Sequence, residues 1–127
     1  MDNAERMRQW FDLIWNQRAL DRIPEFVSPN VTAMNLAHEA IGAKGLEEVT
    51  QAIRSTLDSV DEIKFKLTKV LSIGDCAAAH WIARGSANGQ SFLFDGLTMG
   101  KWDENGMMLQ GDNLFDTNVI TDILKGE

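Results

Sequence analysis

Apolar side chains recur at three- and four-residue steps in two parts of the chain and at two-residue steps through most of the remainder. Met7, Trp10, Phe11, Ile14 and Trp15 form one broad stripe, which predicts a helix over residues 4 to about 20. Asp2-Asn3-Ala4-Glu5 just ahead has the form of a capping box. Asp21 is placed to cap a short second helix holding Ile23, Phe26 and Val27, with Pro24 in its first turn and Ser28-Pro29 ending it. Val31 to Leu36 reads as a strand and His38 to Lys44 as a loop. Gly42 and Gly45 then bracket the approach to a third helix, whose buried stripe is Leu46, Val49, Ile53 and Leu57.

Beyond that helix the period becomes two. Strands are expected near 63–73, 76–87, 91–102 and 107–116, separated by turns at Gly74-Asp75, Asn88-Gly89 and Asn105-Gly106. Val119, Ile120, Ile123 and Leu124 suggest a short docking helix within 117–126. The order is ααβαββββ in one domain, 1–127. It implies an α+β roll with helices on one face of a curved, mostly antiparallel sheet.

Tight hairpins set register, so the sheet's two faces can be sorted from the pattern. One face collects Thr68 and Val70, then Ala77, Ala79, Trp81, Ala83 and Gly85, then Phe92, Phe94, Gly96, Thr98 and Gly100, and finally Leu109, Gly111, Asn113 and Phe115. Very small residues beside large aromatics remove volume without adding polarity, which suits a hollow facing the helices. The other face collects Phe65, Leu67, Leu71, His80, Arg84, Leu93, Asp95, Leu97, Met99, Gln110, Asp112 and Leu114. An apolar centre carrying a few charges suits a subunit interface, with Arg84 paired to Asp95 or Asp112. A β-bulge would exchange the faces along part of a strand. Complete reversal would put His80, Arg84, Asp95 and Asp112 in the pocket.

The chain has 127 residues, 44% of them apolar, which is enough for one core. A net charge of −7 argues against a nucleic-acid partner, which needs clustered Lys and Arg. Cys76 stands alone, so no internal disulfide forms and a reducing, cytoplasmic setting is expected. It reads as a small apolar filler. No apolar run is long enough to span a membrane, and the N-terminus lacks the form of a signal peptide. His38 and His80 lie far apart, so no metal is expected.

Ser91 to Asp116, with its Trp102-Asp103-Glu104-Asn105-Gly106 turn, resembles the closing hairpin of the nuclear-transport-factor-2-like superfamily. That superfamily includes SnoaL-like polyketide cyclases, ketosteroid isomerases and limonene-epoxide hydrolases. The aromatic opening helix, the strand from Val31 to Asn35 and the Gly42 to Gly45 approach extend the resemblance over nearly the whole chain. It implies a cystatin-like, cone-shaped α+β fold with an apolar cavity, no cofactor, and a homodimer joined through the outer sheet face.

The resemblance also locates the family's chemistry. Ketosteroid isomerases place a Tyr, a basic Asp and an acidic Asp where this chain has Phe11, Asn35 and Thr98. Limonene-epoxide hydrolases use an Arg-x-Asp pair, echoed by Arg84-Gly85-Ser86 without its carboxylate, and a last-strand Asp where Asn113 stands. SnoaL-like cyclases keep an Asp at that same last-strand position. Every carboxylate of a known activity is therefore absent from its expected place. Asn113 and Asn35 remain as the candidate catalytic residues, able to orient a substrate or a water. Phe11, Trp15, Trp81, Phe94, Thr98 and Phe115 are the candidate ligand-binding residues. The expected ligand is a small apolar molecule, polycyclic or terpenoid, bound for isomerisation, cyclisation or hydration. The alternative is a non-catalytic dimeric binding or interaction module.

Overall fold

The structure is a computed structural model and describes residues 2–35 and 42–115, without the side chains of Met34 and Asn35. The expected terminal helix, Asp116, Leu36 and His38 lie outside the described residues.

The first helix, α1 (Asn3–Gln9), starts where the capping box predicts, with the Asp2 carboxylate accepting from the Glu5 N–H at 2.8 Å. It continues as a π-helix over Trp10–Asn16 and ends four residues earlier than expected. The wider turn is visible in the Gln17 N–H donating to the Asp12 carbonyl five residues back, at 3.0 Å. The expected second helix shrinks to a 3-10 turn, Leu20–Glu25, and Val27 leaves it to open strand β1 (Val27–Asn35). Ser28-Pro29 therefore lies inside a strand. Pro29 is tolerated because the pairing of β1 is interrupted between Val27 and Thr32, where no ladder bond is lost.

Part of the expected loop forms a two-residue strand, β2 (Ala43–Lys44), against β1, and α2 (Gly45–Asp58) follows. Val49, Ile53 and Leu57 bury the predicted stripe of α2, with Leu46 packed against the core. Four long strands complete the sheet: β3 (Glu62–Ile73), β4 (Cys76–Ala87), β5 (Gln90–Trp102) and β6 (Met108–Leu114). The strand order is β2-β1-β6-β5-β4-β3. Among the described strands only β1 and β6 run parallel, so the α+β, mostly antiparallel design is observed.

The faces sort as the alternation implies on β4 and β5, where Ala77, Ala79, Trp81, Ala83, Phe92, Thr98 and Trp102 are buried and every second residue is turned away. Two bulges correct the remainder. Between Leu67 and Lys69 the β3–β4 register shifts, so Phe65 opposes Ala83 and Leu67 opposes Trp81 on the inner face. Thr68 is exposed on the outer face, whereas Val70 keeps its inner place opposite Ala79. Between Lys101 and Trp102 a second shift brings Met108, in place of Leu109, into the core. Each bulge inserts one residue and inverts parity on one side of itself.

Outer-face pairing also differs from expectation. Asp95 engages His80, with 2.7 Å between its Oδ2 and the imidazole Nε2, while the other ring nitrogen meets the Thr68 hydroxyl. Asp112 accepts from the Gln110 amide at 2.9 Å. Arg84 forms no ion pair among the described residues.

A candidate ligand cavity inside the cone

The curved sheet and the helical layer leave a cavity of about 390 Å³ between them. Its floor is the inner face of β4, β5 and β6, one wall is the π-helical segment, and α2 with β1 makes the other. The exposed α2 residues Ala52 and Thr56 stand at its rim. Phe11 and Trp15 enter from the π-helix, four residues apart on one side of it.

An aromatic cluster lines the interior. Phe65 is central to it, 5.1 Å from Trp81 edge-to-face, 5.3 Å from Trp15 and 5.4 Å from Phe11 between ring centres. Trp81 continues to Phe94 at 5.7 Å and to Phe115 at 6.0 Å. Such offset and edge contacts add to area burial and hold each ring in one orientation. Gly96 makes the arrangement possible. A Cβ there would stand 2.5 Å from Cζ2 of Trp81, so the indole occupies the space that a side chain would need.

One polar chain crosses this lining. The Trp81 indole N–H donates to Thr98 Oγ1 at 2.8 Å, and the Thr98 hydroxyl donates to Asn113 Oδ1 at 2.7 Å. Donor counting sets its direction: an indole N–H can only donate, so the hydroxyl accepts there and its own hydrogen goes onward. Turning the Asn113 amide over would leave that hydrogen without an acceptor beside a residue only 4% exposed, at a cost of about 1–3 kcal/mol. The Asn113 NH2 is thereby left with no partner among the described residues. Asn113 opposes Asn35 in the parallel β1–β6 ladder and Thr98 in the β5–β6 ladder.

Seven of the eight sequence-derived candidates line this cavity: Phe11, Trp15, Trp81, Phe94, Thr98, Asn113 and Phe115. For Asn35 only the backbone position is described. Sequence reasoning missed Phe65, because the bulge hid its parity, and the apolar wall from Val27, Val31, Val49 and Ile53. The α2 stripe was itself the available signal for Val49 and Ile53. His80, Arg84 and Asp95 lie on the opposite face of the sheet, so the Arg84-Gly85-Ser86 echo does not reach the cavity.

Among the described lining residues none is ionisable. Nor do any three His, Cys, Asp or Glu side chains among the described residues gather as a metal site would require. A second, more open cleft of about 260 Å³ outside the π-helix has Arg8, Asp12 and Lys69 on its walls. Cys76 is exposed at the start of β4 instead of filling the core. Its thiol is pushed up from the usual value, first by donating to the Asp75 carboxylate at 3.3 Å and then by desolvation. No helix among the described residues is long and apolar enough to cross a membrane.

A cone of this topology around an apolar cavity is the SnoaL-like arrangement, and the family model for the SnoaL-like domain matches residues 7–110. The chain belongs to that family, within the NTF2-like superfamily. No curated protein matches it. Among solved structures it is similar to a protein assigned as a SnoaL-like polyketide cyclase from Jannaschia sp. CCS1, with a TM-score of 0.87 at 15% identity over 98% of this chain and 92% of that one. An NTF2-like protein of unknown function from Burkholderia pseudomallei K96243 aligns with a TM-score of 0.84 at 18% identity, covering 98% of each chain. An LEH-like epoxide hydrolase from M. tuberculosis aligns at 0.76 with 11% identity, over 96% of this chain and 89% of that one. Identities so low carry the fold and leave the chemistry to the site.

Proposed function

We propose that the protein binds an uncharged, largely apolar small molecule with fused or multiple rings inside the cone. The observation that carries this reading is an aromatic-lined cavity of about 390 Å³ with no ionisable side chain among its described lining residues. A charged ligand would lose its hydration there with nothing to replace it. A ring system can stack against Trp81, Phe65 and Phe94 at little cost in entropy. The fold relatives named as a polyketide cyclase and an epoxide hydrolase support a polycyclic or terpenoid carbon skeleton.

Asn113, tied to Thr98, orients the ligand, and Asn35 stands in register beside it. Turnover by this pair would be limited to orienting a substrate or a water for a cofactor-independent isomerisation, cyclisation or hydration, because a carboxamide does not serve as a general base. The missing carboxylates favour binding without turnover as the second reading. A homodimer through the outer sheet face belongs to both readings.

A thermal-shift screen of polycyclic ketones, terpenoids and flat aromatics, with NMR of the ligands after incubation, tests this. Stabilisation that is lost in Asn113→Leu is expected. A screen in which no apolar ring compound raises the melting temperature would overturn the reading. Conversion of a bound compound by the native chain and not by Asn113→Leu would decide for catalysis.

A further inference from the structure

We propose that the cavity selects ligands presenting a bare acceptor oxygen, a ketone, aldehyde or lactone carbonyl, over alcohols and amines on the same carbon skeleton. This rests on the ligand-binding reading above and deepens it. The selectivity comes from the direction of the Trp81–Thr98–Asn113 chain. The indole begins it with a donor, the hydroxyl passes a donor onward, and Asn113 Oδ1 absorbs it. The outcome at the cavity surface is an NH2 whose hydrogens have no partner among the described residues, beside an oxygen with one lone pair already taken by Thr98.

Among the described lining residues, the side chains next to Asn113 offer a ligand's own hydrogen little to bond to. Apart from Thr98, the described floor around Asn113 is Gly111, Phe115, Phe94 and Met108, none of which offers a side-chain oxygen. Thr56, whose hydroxyl donates to the Ala52 carbonyl at 2.9 Å, keeps acceptor lone pairs but stands at the rim on α2, across the cavity from the β6 floor that carries Asn113. A carbonyl oxygen placed at Asn113 satisfies the NH2 and leaves nothing behind. An alcohol can accept the same bond, but its O–H then turns toward Gly111, Phe115, Phe94 and Met108, which offer it no side-chain acceptor, and an ammonium group meets a donor head-on. The described lining also holds no carboxylate to neutralise an ammonium.

The probes are 1-tetralone, 1-tetralol, tetralin and protonated 1-aminotetralin, which share one skeleton, with dissociation constants measured by isothermal titration calorimetry. For the native protein, tetralone is expected to bind about tenfold tighter than tetralol, the fold-change that one unsatisfied buried hydroxyl produces. The ammonium is expected to show no binding. In Thr98→Val the amide loses the hydroxyl that orients it, and in Asn113→Asp the NH2 itself is gone. The tetralone-to-tetralol ratio is expected to fall towards one in both. The native measurement alone decides if either variant fails to fold. Equal affinity of the native chain for tetralone and tetralol, with tetralin bound, would overturn the selectivity and leave the apolar-cavity reading standing. Failure of all four probes, tetralin included, would overturn both.

Discussion

At Gly96 the absence of one methyl group shapes the cavity floor. A Cβ there would meet Trp81 at 2.5 Å and the Leu114 carbonyl at 2.9 Å, so the indole or the β5–β6 pairing must move. Gly96→Ala is therefore expected to destabilise the fold by about 1–3 kcal/mol, measured by urea denaturation followed through tryptophan fluorescence. An unchanged midpoint would mean that Trp81 is not held against the strand. Cys76 gives a second residue-scale test. Its thiol donates to Asp75 and its pKa is raised, so less thiolate is present at neutral pH than for an ordinary cysteine. Alkylation by iodoacetamide is expected to be slower than that of glutathione at pH 7.5 despite exposure, with the pH–rate curve displaced upward. Asp75→Asn is expected to move that curve back. Equal rates for native and variant would remove the carboxylate as the cause.

Among the elements, the contact between the π-helix and β3 matters most for the site. Asn16 ends the helix, and its side chain imitates a neighbouring strand: Nδ2 donates to the Phe65 carbonyl at 2.9 Å and Oδ1 accepts the Phe65 N–H at 2.7 Å. β3 is an edge of the sheet, and this amide covers it where Phe65 turns inward. Asn16→Ala strips both bonds from a part-buried backbone, with an expected loss of about 1–3 kcal/mol and faster hydrogen exchange at the Phe65 amide. Exchange as slow as in the native chain would show that the strand edge is held by other contacts.

Element periods were legible in the chain itself. The paired strands β3 to β5 fall within one residue of their expected limits because two-residue turns set them, and at Asn88-Gly89 both residues take positive φ, 53° and 77°, as a tight primed turn requires. Asn105-Gly106 closes differently. Only Gly106 is left-handed, at φ 80°, and the Asp103 carboxylate accepts from the Asn105 and Met107 N–H groups at 2.9 Å each. The strand beginning at Val27 was not legible, since its first bond partner, Met108, comes from the far end of the fold. Nor was the bulge at Leu67 to Lys69, which has no local Gly or Pro to mark it.

For the whole molecule, the outer face of the sheet carries exposed Leu71, Leu93, Leu97, Met99 and Leu114. Apolar side chains gathered on one face of a sheet favour association, and a two-fold contact would bury them against their own copies. The proposed homodimer is expected to sediment at twice the chain mass of 14.2 kDa, and Leu97→Arg is expected to produce the monomer while leaving the circular dichroism spectrum intact. A native chain that sediments as a monomer at high micromolar concentration would remove the dimer without touching the cavity. Because the cavity opens on the opposite face of the sheet, ligand binding and association are expected to be separable.

Alternation and turn chemistry in the sequence determined the four strands β3 to β6, their pairing, and the small-and-aromatic face that holds Trp81, Phe94, Thr98 and Asn113. These are local properties, written within two to four residues. Tertiary structure decided the rest: the inward turn of Phe65, the parallel pairing of β1 with β6, the indole lodged over Gly96, and the direction in which hydrogens run from Trp81 to Asn113. Each depends on atoms brought together from distant parts of the chain, and a hydrogen-bond direction exists only once donor and acceptor stand within reach of one another.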